Sequence, residues 1–135
     1  MGQEQAALIA QQFLDSIGAG ADADEIAALF SVDVQFEVPG DVGALPWIGR
    51  KSGRRAASDF IRDTSRLIEH VRFDVQGILT DQDRAVIVGE LTSRVNATGK
   101  VIESPFALIL TVSEGKITRF QMLEDSFAVS QAARS

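Results

Sequence analysis

Apolar residues near the start of the chain recur with helical spacing. From Ala6 to Ile17 they fall every three or four positions, which predicts an amphipathic helix that ends at Gly18. Asp22 is followed three residues later by Glu25, a spacing typical of a capping box. The pattern therefore predicts a second, short helix directly after the first.

The spacing then changes to every second residue. Val34, Phe36 and Val38 alternate with polar neighbours, which predicts a half-buried strand that Pro39 and Gly40 close. A strand that alternates in this way has one face on a core and one face on solvent.

A stretch rich in glycine and proline predicts a loop over residues 39–53, and this loop contains the single tryptophan, Trp47. Ser52 is a candidate N-cap for a third helix, whose apolar stripe runs from Ala57 to Ile68. We expect this helix to pack its stripe against the same core as the first strand.

The second half of the chain predicts a meander of antiparallel strands and then a last short helix. Helices followed by a meander are typical of an α+β fold, with the helices on one face of the sheet. A long curved sheet around helices forms a cone-shaped barrel with a mouth, a common place for a small-molecule pocket. The predicted strands are 70–80, 84–96, 100–112 and 116–124. The predicted last helix is Ser126–Ala133, with Asp125 or Ser126 as its N-cap. A single domain is expected to cover residues 1–135.

The composition limits the chemistry. The chain has no cysteine, no tyrosine and one histidine, His70. These absences exclude disulfides, cysteine-based zinc sites and any phenol as an acid. Catalysis would therefore rest on carboxylates, arginines, amides, hydroxyls, a lysine or His70, and His70 at a predicted helix end is more often a surface residue.

The charge argues against nucleic acid as a partner, because the formal net charge is −6. A basic cluster at Arg50–Arg55 has two interpretations, a phosphate site or a solvated loop that faces acidic residues, and we favour the second. Neither a signal peptide nor an apolar run of about 18 residues is apparent, so we expect no membrane association. The absence of cysteine fits any compartment, and a cytoplasmic location is the default expectation rather than a deduction.

Several motifs together carry a resemblance to a known family. They are QQFLDSIGAGADADEIAALFSVDVQFEVPG, PWIGRKSG, TGK, SEGKITRF and EDSFAVSQA. The chain resembles the SnoaL-like members of the nuclear transport factor 2-like superfamily, which also contains ketosteroid isomerase and limonene epoxide hydrolase. The resemblance implies a cone-shaped α+β barrel, a homodimer and an apolar pocket, but no single reaction.

The catalytic pattern of ketosteroid isomerases is not kept. The resemblance places Phe13 where these enzymes have a tyrosine, Val38 where they have the general base, and Ala107 where they have the second acid. Cyclases of the SnoaL type also depend on an aspartate at the position of Ala107. Apolar side chains cannot donate or accept a proton, so the usual acid and base are missing.

The pattern of limonene epoxide hydrolases is kept in part. Arg94 matches their arginine, whereas Asn96 and Met122 replace two aspartates. An amide can position water but cannot act as its base.

Glu90, Arg94 and Asn96 share one face of their predicted strand. If this face lined the cone, they would form a charged site that holds water. The alternation equally fits a polar face toward solvent or a second subunit, and we favour that interpretation. Two other acids, Asp125 and Glu103, are candidate bases, although capping of the last helix is the favoured role of Asp125.

Two functions remain open. The first is cofactor-independent isomerase, cyclase or hydrolase chemistry on a small hydrophobic molecule without a metal, with Arg94 orienting it and a nearby acid as base. The second is a non-catalytic module for ligand binding or dimerisation, which predicts no ionisable side chain inside the cone. A protein adaptor is a weaker third. The expected lining residues are Phe13, Phe36, Val38, Trp47, Phe60, Ala107 and Met122, and the candidate catalytic residues are Arg94, Asn96, Glu90 and Asp125.

Overall fold

A computed structural model describes residues 2–134, which form four α-helices and six β-strands and confirm the predicted α+β class. In chain order the elements are α1 Gly2–Gly18, α2 Ala23–Ala27, β1 Phe30–Val38, β2 Gly49–Ser52, α3 Arg54–Leu67, β3 Ile68–Asp81, β4 Arg84–Val95, β5 Val101–Ser113, β6 Lys116–Glu124 and α4 Ser126–Ala133.

The strands form one curved, open sheet in the order β2-β1-β6-β5-β4-β3. The sheet differs from the expected meander in two ways. β1 pairs with β6 in parallel, so that Phe36 lies opposite Phe120, whereas the other pairs are antiparallel. Residues 49–52, expected in the loop, form β2 because they pair with the outer edge of β1.

The helix boundaries also correct the predicted caps. Gly53, with a φ of 96°, is the N-cap of α3 in place of Ser52, and no side chain caps that end. Asp22 does precede α2, yet its carboxylate makes no capping bond. Asp125 caps α4 as expected, because its Oδ1 accepts from the N–H of Ala128 at 3.0 Å.

A cluster of phenylalanines fills the space between the sheet and the helices. Phe120 of β6 is at its centre and stacks on Phe36 with ring centroids 4.4 Å apart. Phe13 of α1, Phe30 and Phe60 surround the same ring at 5.7–5.9 Å. This cluster joins α1 and α3 to the centre of the sheet and fixes the side of the sheet on which the helices pack.

Gly89 lies where the backbone of β3 passes close to β4. A Cβ at this position would lie 1.9 Å from the Asp74 carbonyl oxygen and 3.0 Å from the ring of Phe106. The approach occurs beside a register shift in β3 between Val75 and Gly77. Glycine is thus required here by the backbone of the neighbouring strand.

Within residues 2–134, no helix is both long and apolar enough to span a bilayer. The cytoplasmic location stays a prediction.

Candidate functional site

A cavity of about 480 Å³ lies between the inner face of the sheet and the helices. This volume is in the range of pockets for small organic molecules. Its wall is mostly apolar and comes from every helix and from four of the strands. The lining residues are Phe13, Leu14, Ile17, Gly18, Gly20, Ala21, Ile26, Leu45, Trp47, Phe60, Ile61, Thr64, Ser65, Ile68, His70, Phe73, Val75, Leu91, Ser93, Ile102, Leu108, Phe120, Met122, Glu124 and Val129.

The cavity opens at one side. Its exposed lining residues belong to the end of α1, to the end of α3 and to β3, and they include Ile17, Ser65, His70, Phe73 and Val75. The opposite wall, with Trp47, Phe120 and Val129, is buried. The mouth is therefore bordered by β3 and the ends of these two helices.

Four of the residues expected to line a pocket do border this cavity: Phe13, Trp47, Phe60 and Met122. Phe36 and Val38 are buried in the core behind the wall. Ala107 lies on the outer face of β5, because its neighbour Leu108 points into the cavity.

Glu124 brings a carboxyl group to this apolar wall. It lies at the end of β6, where Phe120, Met122 and Glu124 alternate toward the cavity. Burial of the side chain and, to a smaller extent, the neighbouring charge of Asp125 together raise the pKa of Glu124 to about 7. At neutral pH this carboxyl group is present in both its acidic and its basic form, as proton transfer in either direction requires.

His70 and Ser93 face each other on β3 and β4 and form a second polar part of the wall. Partial burial of its ring at the mouth of the cavity lowers the pKa of His70, which favours the neutral imidazole at pH 7. Two other hydroxyls of the wall, those of Thr64 and Ser65, donate to the Ile61 carbonyl at 3.2 and 2.8 Å.

The candidate pair Arg94 and Asn96 lies outside the cavity. Leu91 and Ser93 of β4 point inward, so the alternation directs Arg94 to the outer face. There its Nη1 donates to Glu69 Oε1 at 3.1 Å. Asn96 follows the end of β4 and donates from Nδ2 to the Arg66 carbonyl at 3.0 Å, a structural bond between α3 and the sheet.

The candidate acids also lie away from the cavity wall. Glu90, on the outer face of β4, accepts a hydrogen bond from Gln76 at 3.0 Å. Glu103 is exposed on β5, and Asp125 is engaged as the cap of α4. None of these acids is brought together with Arg94 around a common space inside the cone.

The basic cluster of residues 50–55 contacts the first strand. Arg50 pairs with Glu37 at 2.8 Å, and Arg54 donates to the Phe30 carbonyl at 3.0 Å. These contacts match the interpretation as a solvated segment that faces acidic and backbone partners. In the part of the chain that the structure describes, no three His, Asp or Glu side chains cluster as a metal site.

The SnoaL-like domain family matches residues 10–120, which is most of the chain. The protein belongs to this SnoaL-like family. The cone of this chain, with helices on one face of a curved sheet, is the architecture that the motifs implied for this family. No curated protein matches this SnoaL-like sequence.

Solved structures resemble the SnoaL-like chain over nearly its whole length. A nuclear transport factor 2-like protein from Burkholderia xenovorans is 23% identical, covers 98% of both chains and has a TM-score of 0.86. A proposed isomerase from Bacillus subtilis is 19% identical, covers 98% of this chain and 94% of its own, and scores 0.79. A proposed SnoaL-like polyketide cyclase from Mesorhizobium loti is 19% identical, covers 87% and 97%, and scores 0.71. At these identities the likeness shows the fold alone.

Proposed function

We propose that this chain binds a small, mostly apolar molecule in its cavity and that Glu124 moves a proton to or from it. The reaction would be of the isomerase or cyclase type and would use no cofactor. One observation carries the proposal: a carboxyl group with a pKa of about 7 lines a mostly apolar cavity. Two neighbours of similar fold are named as a proposed isomerase and a proposed polyketide cyclase, which agrees with this chemistry.

The geometry supports this proposal over the alternatives. A non-catalytic module predicts no ionisable side chain inside the cone, yet Glu124 and His70 both border the cavity. Hydrolysis of an epoxide by Arg94 and Asn96 has no geometric support, since neither side chain borders the cavity. Glu124 would act as the base in its ionised form and as the acid once it has taken a proton.

A general-base probe tests the proposal without the natural substrate. In 5-nitrobenzisoxazole, removal of the proton on C3 breaks the ring N–O bond and yields a coloured cyanonitrophenolate. We expect the wild type to accelerate this elimination, with kcat/KM rising through pH 7 as Glu124 ionises. Glu124→Gln should lower kcat/KM by about 10²-fold or more, since general-base catalysis contributes at least this factor.

Glu90→Gln is the matched control, because it removes a glutamate from the outer face of the sheet. It should keep the activity of the wild type. The proposal is wrong if the wild type is no faster than an equal concentration of free acetate, or if Glu124→Gln is as active as the wild type.

We also propose a homodimer that uses the outer face of the sheet. Val88 pairs with Ala107, which pairs with Leu123, and Val86 pairs with Ile109, so these residues form one continuous apolar patch. All five are only partly buried or exposed within one chain. A patch of this kind on a sheet is typical of a protein interface.

The dimer is tested by sedimentation equilibrium of the wild type and of Ile109→Glu. A charge within the patch should convert the dimer to a monomer, because it would be buried without a partner. Leu8→Glu, at an exposed position of α1, is the control and should stay dimeric. A monomeric wild type, or a dimeric Ile109→Glu, would contradict this interface.

A further inference from the structure

Apart from Thr64 and Ser65, whose hydroxyls donate to the Ile61 carbonyl, the polar side chains of the cavity wall lie at two separate places. Glu124 is at one place, at the end of β6. His70 and Ser93 are at the other, on β3 and β4. At the level of the sheet between them the wall is formed by the apolar side chains of Leu91 and Phe73. Leu108, Met122 and Phe120 lie beyond Glu124 along the strands.

The strand register gives the separation of the two places. Glu124 pairs with Phe106 of β5, whereas Ser93 of β4 pairs with Ile102 of the same strand. The two levels are thus four residues apart along β5 and two strands apart across the sheet. On a flattened sheet this is about 16 Å between Cα atoms, and the curvature and the inward side chains shorten it. A ligand that contacts both places therefore extends along the sheet.

Ser93 and His70 are suited to bind an oxygen atom of a ligand. Ser93 is 5% exposed and borders the cavity, where its hydroxyl can both donate and accept a hydrogen bond. The hydroxyls of Thr64 and Ser65 are already bonded to the Ile61 carbonyl. His70 is at the mouth, and its neutral ring offers one donor and one acceptor.

We infer that the cavity binds an elongated, mainly hydrocarbon molecule that has an oxygen function at each end. One oxygen lies against Glu124, and the other, a hydroxyl or carbonyl, is bound by Ser93 and His70 near the mouth. The inference rests on the proposed function, because it takes the cavity as the ligand site and Glu124 as its reactive end. It adds the length and the two-ended polarity of the ligand.

Trp47 gives a direct readout of binding. It lines the cavity, and the chain has one tryptophan and no tyrosine, so its emission reports on this site. The probes are two series of equal chain length, the diols from 1,6-hexanediol to 1,12-dodecanediol and the matching 1-alkanols. Alkanol affinity should rise steadily with length. Diol affinity should instead pass through an optimum, at the length that reaches both polar places.

Variants assign the second polar place. At the optimal length, the ratio of alkanol Kd to diol Kd should fall about tenfold in Ser93→Ala, because one diol hydroxyl loses its partner. His70→Phe should lower the same ratio, and so provides a second variant. Thr92→Ala removes a hydroxyl from the adjacent residue on the opposite face and should keep the ratio of the wild type. Alkanol binding by each variant shows that it is folded.

The outcomes separate the two proposals. If neither series changes Trp47 emission, the apolar ligand site itself is wrong, and the inference falls with it. If alkanols bind but diols show no optimal length, or if the ratio is unchanged in both Ser93→Ala and His70→Phe, the two-ended ligand is wrong. Glu124-dependent elimination of the benzisoxazole would then still support the proposed function.

Discussion

The Glu124→Gln variant is expected to be more stable than the wild type at pH 8, by up to about 3 kcal/mol in the free energy of unfolding. The folded pKa of Glu124 is about 7 and its ordinary value is 4.5. Between these two values the unfolded chain loses the proton that the folded chain keeps, so stability falls as the pH rises from 4.5 through 7. Each pKa unit is worth about 1.4 kcal/mol, and glutamine, which does not ionise, escapes this loss.

Urea unfolding at pH 4.5 and pH 8 measures the effect. The two proteins should have similar stability at pH 4.5, and the difference should develop by pH 8. Met122→Leu, which changes the same wall of the cavity without a titratable group, should show the same pH dependence as the wild type. Equal stability of Glu124→Gln and wild type at both pH values would show that burial does not raise the pKa of this carboxyl group.

The Gly89→Ala substitution is expected to lower the free energy of unfolding by about 3 kcal/mol or more, or to prevent folding. Its new methyl group would lie 1.9 Å from the Asp74 carbonyl oxygen, far inside van der Waals contact. The obstacle is backbone, so a side-chain rotation cannot relieve it and β3 must move away from β4. Phe106 also restricts the space from the other side, at 3.0 Å.

Gly77→Ala is the matched control in β3, since no atom lies within 4 Å of a Cβ at that position. It should change the stability by less than about 1 kcal/mol. Urea or thermal unfolding of both variants makes the comparison. A Gly89→Ala protein as stable as Gly77→Ala would contradict the close approach of the Asp74 carbonyl group to position 89.

Most of the helices and strands can be predicted from the sequence, because short local patterns of apolar and polar residues determine them. The alternation of Ile87, Leu91 and Val95 marks the buried face of β4 from its own residues. The parallel pairing of β1 with β6 is different, because partners more than 80 residues apart leave no local pattern. The short β2 has no local pattern of its own for the same reason, since its strand conformation depends on pairing with the edge of β1.

The candidate site is less predictable than the fold. Phe120, Met122 and Glu124 do alternate, and this signal alone places Glu124 toward the cavity. Its raised pKa, however, depends on burial by distant elements, which no short window of sequence contains. In β3, a register shift between His70 and Arg72 breaks the alternation, so that the faces of that strand cannot be counted from the sequence.

The parallel contact between β1 and β6 also bears on how the chain folds. Phe36 stacks on Phe120, and this pair joins the first strand to the last across most of the sequence. Closing so long a loop is slow, because its entropy is lost before the contact is gained. On a ribosome, β1 and β2 can pair with each other early, but nearly the whole chain must emerge before β6 exists to join β1 to the rest of the sheet. The β3–β5 meander meets its partners earlier, so it is the part that can form first, and arrival of β6 is the step that completes the cone.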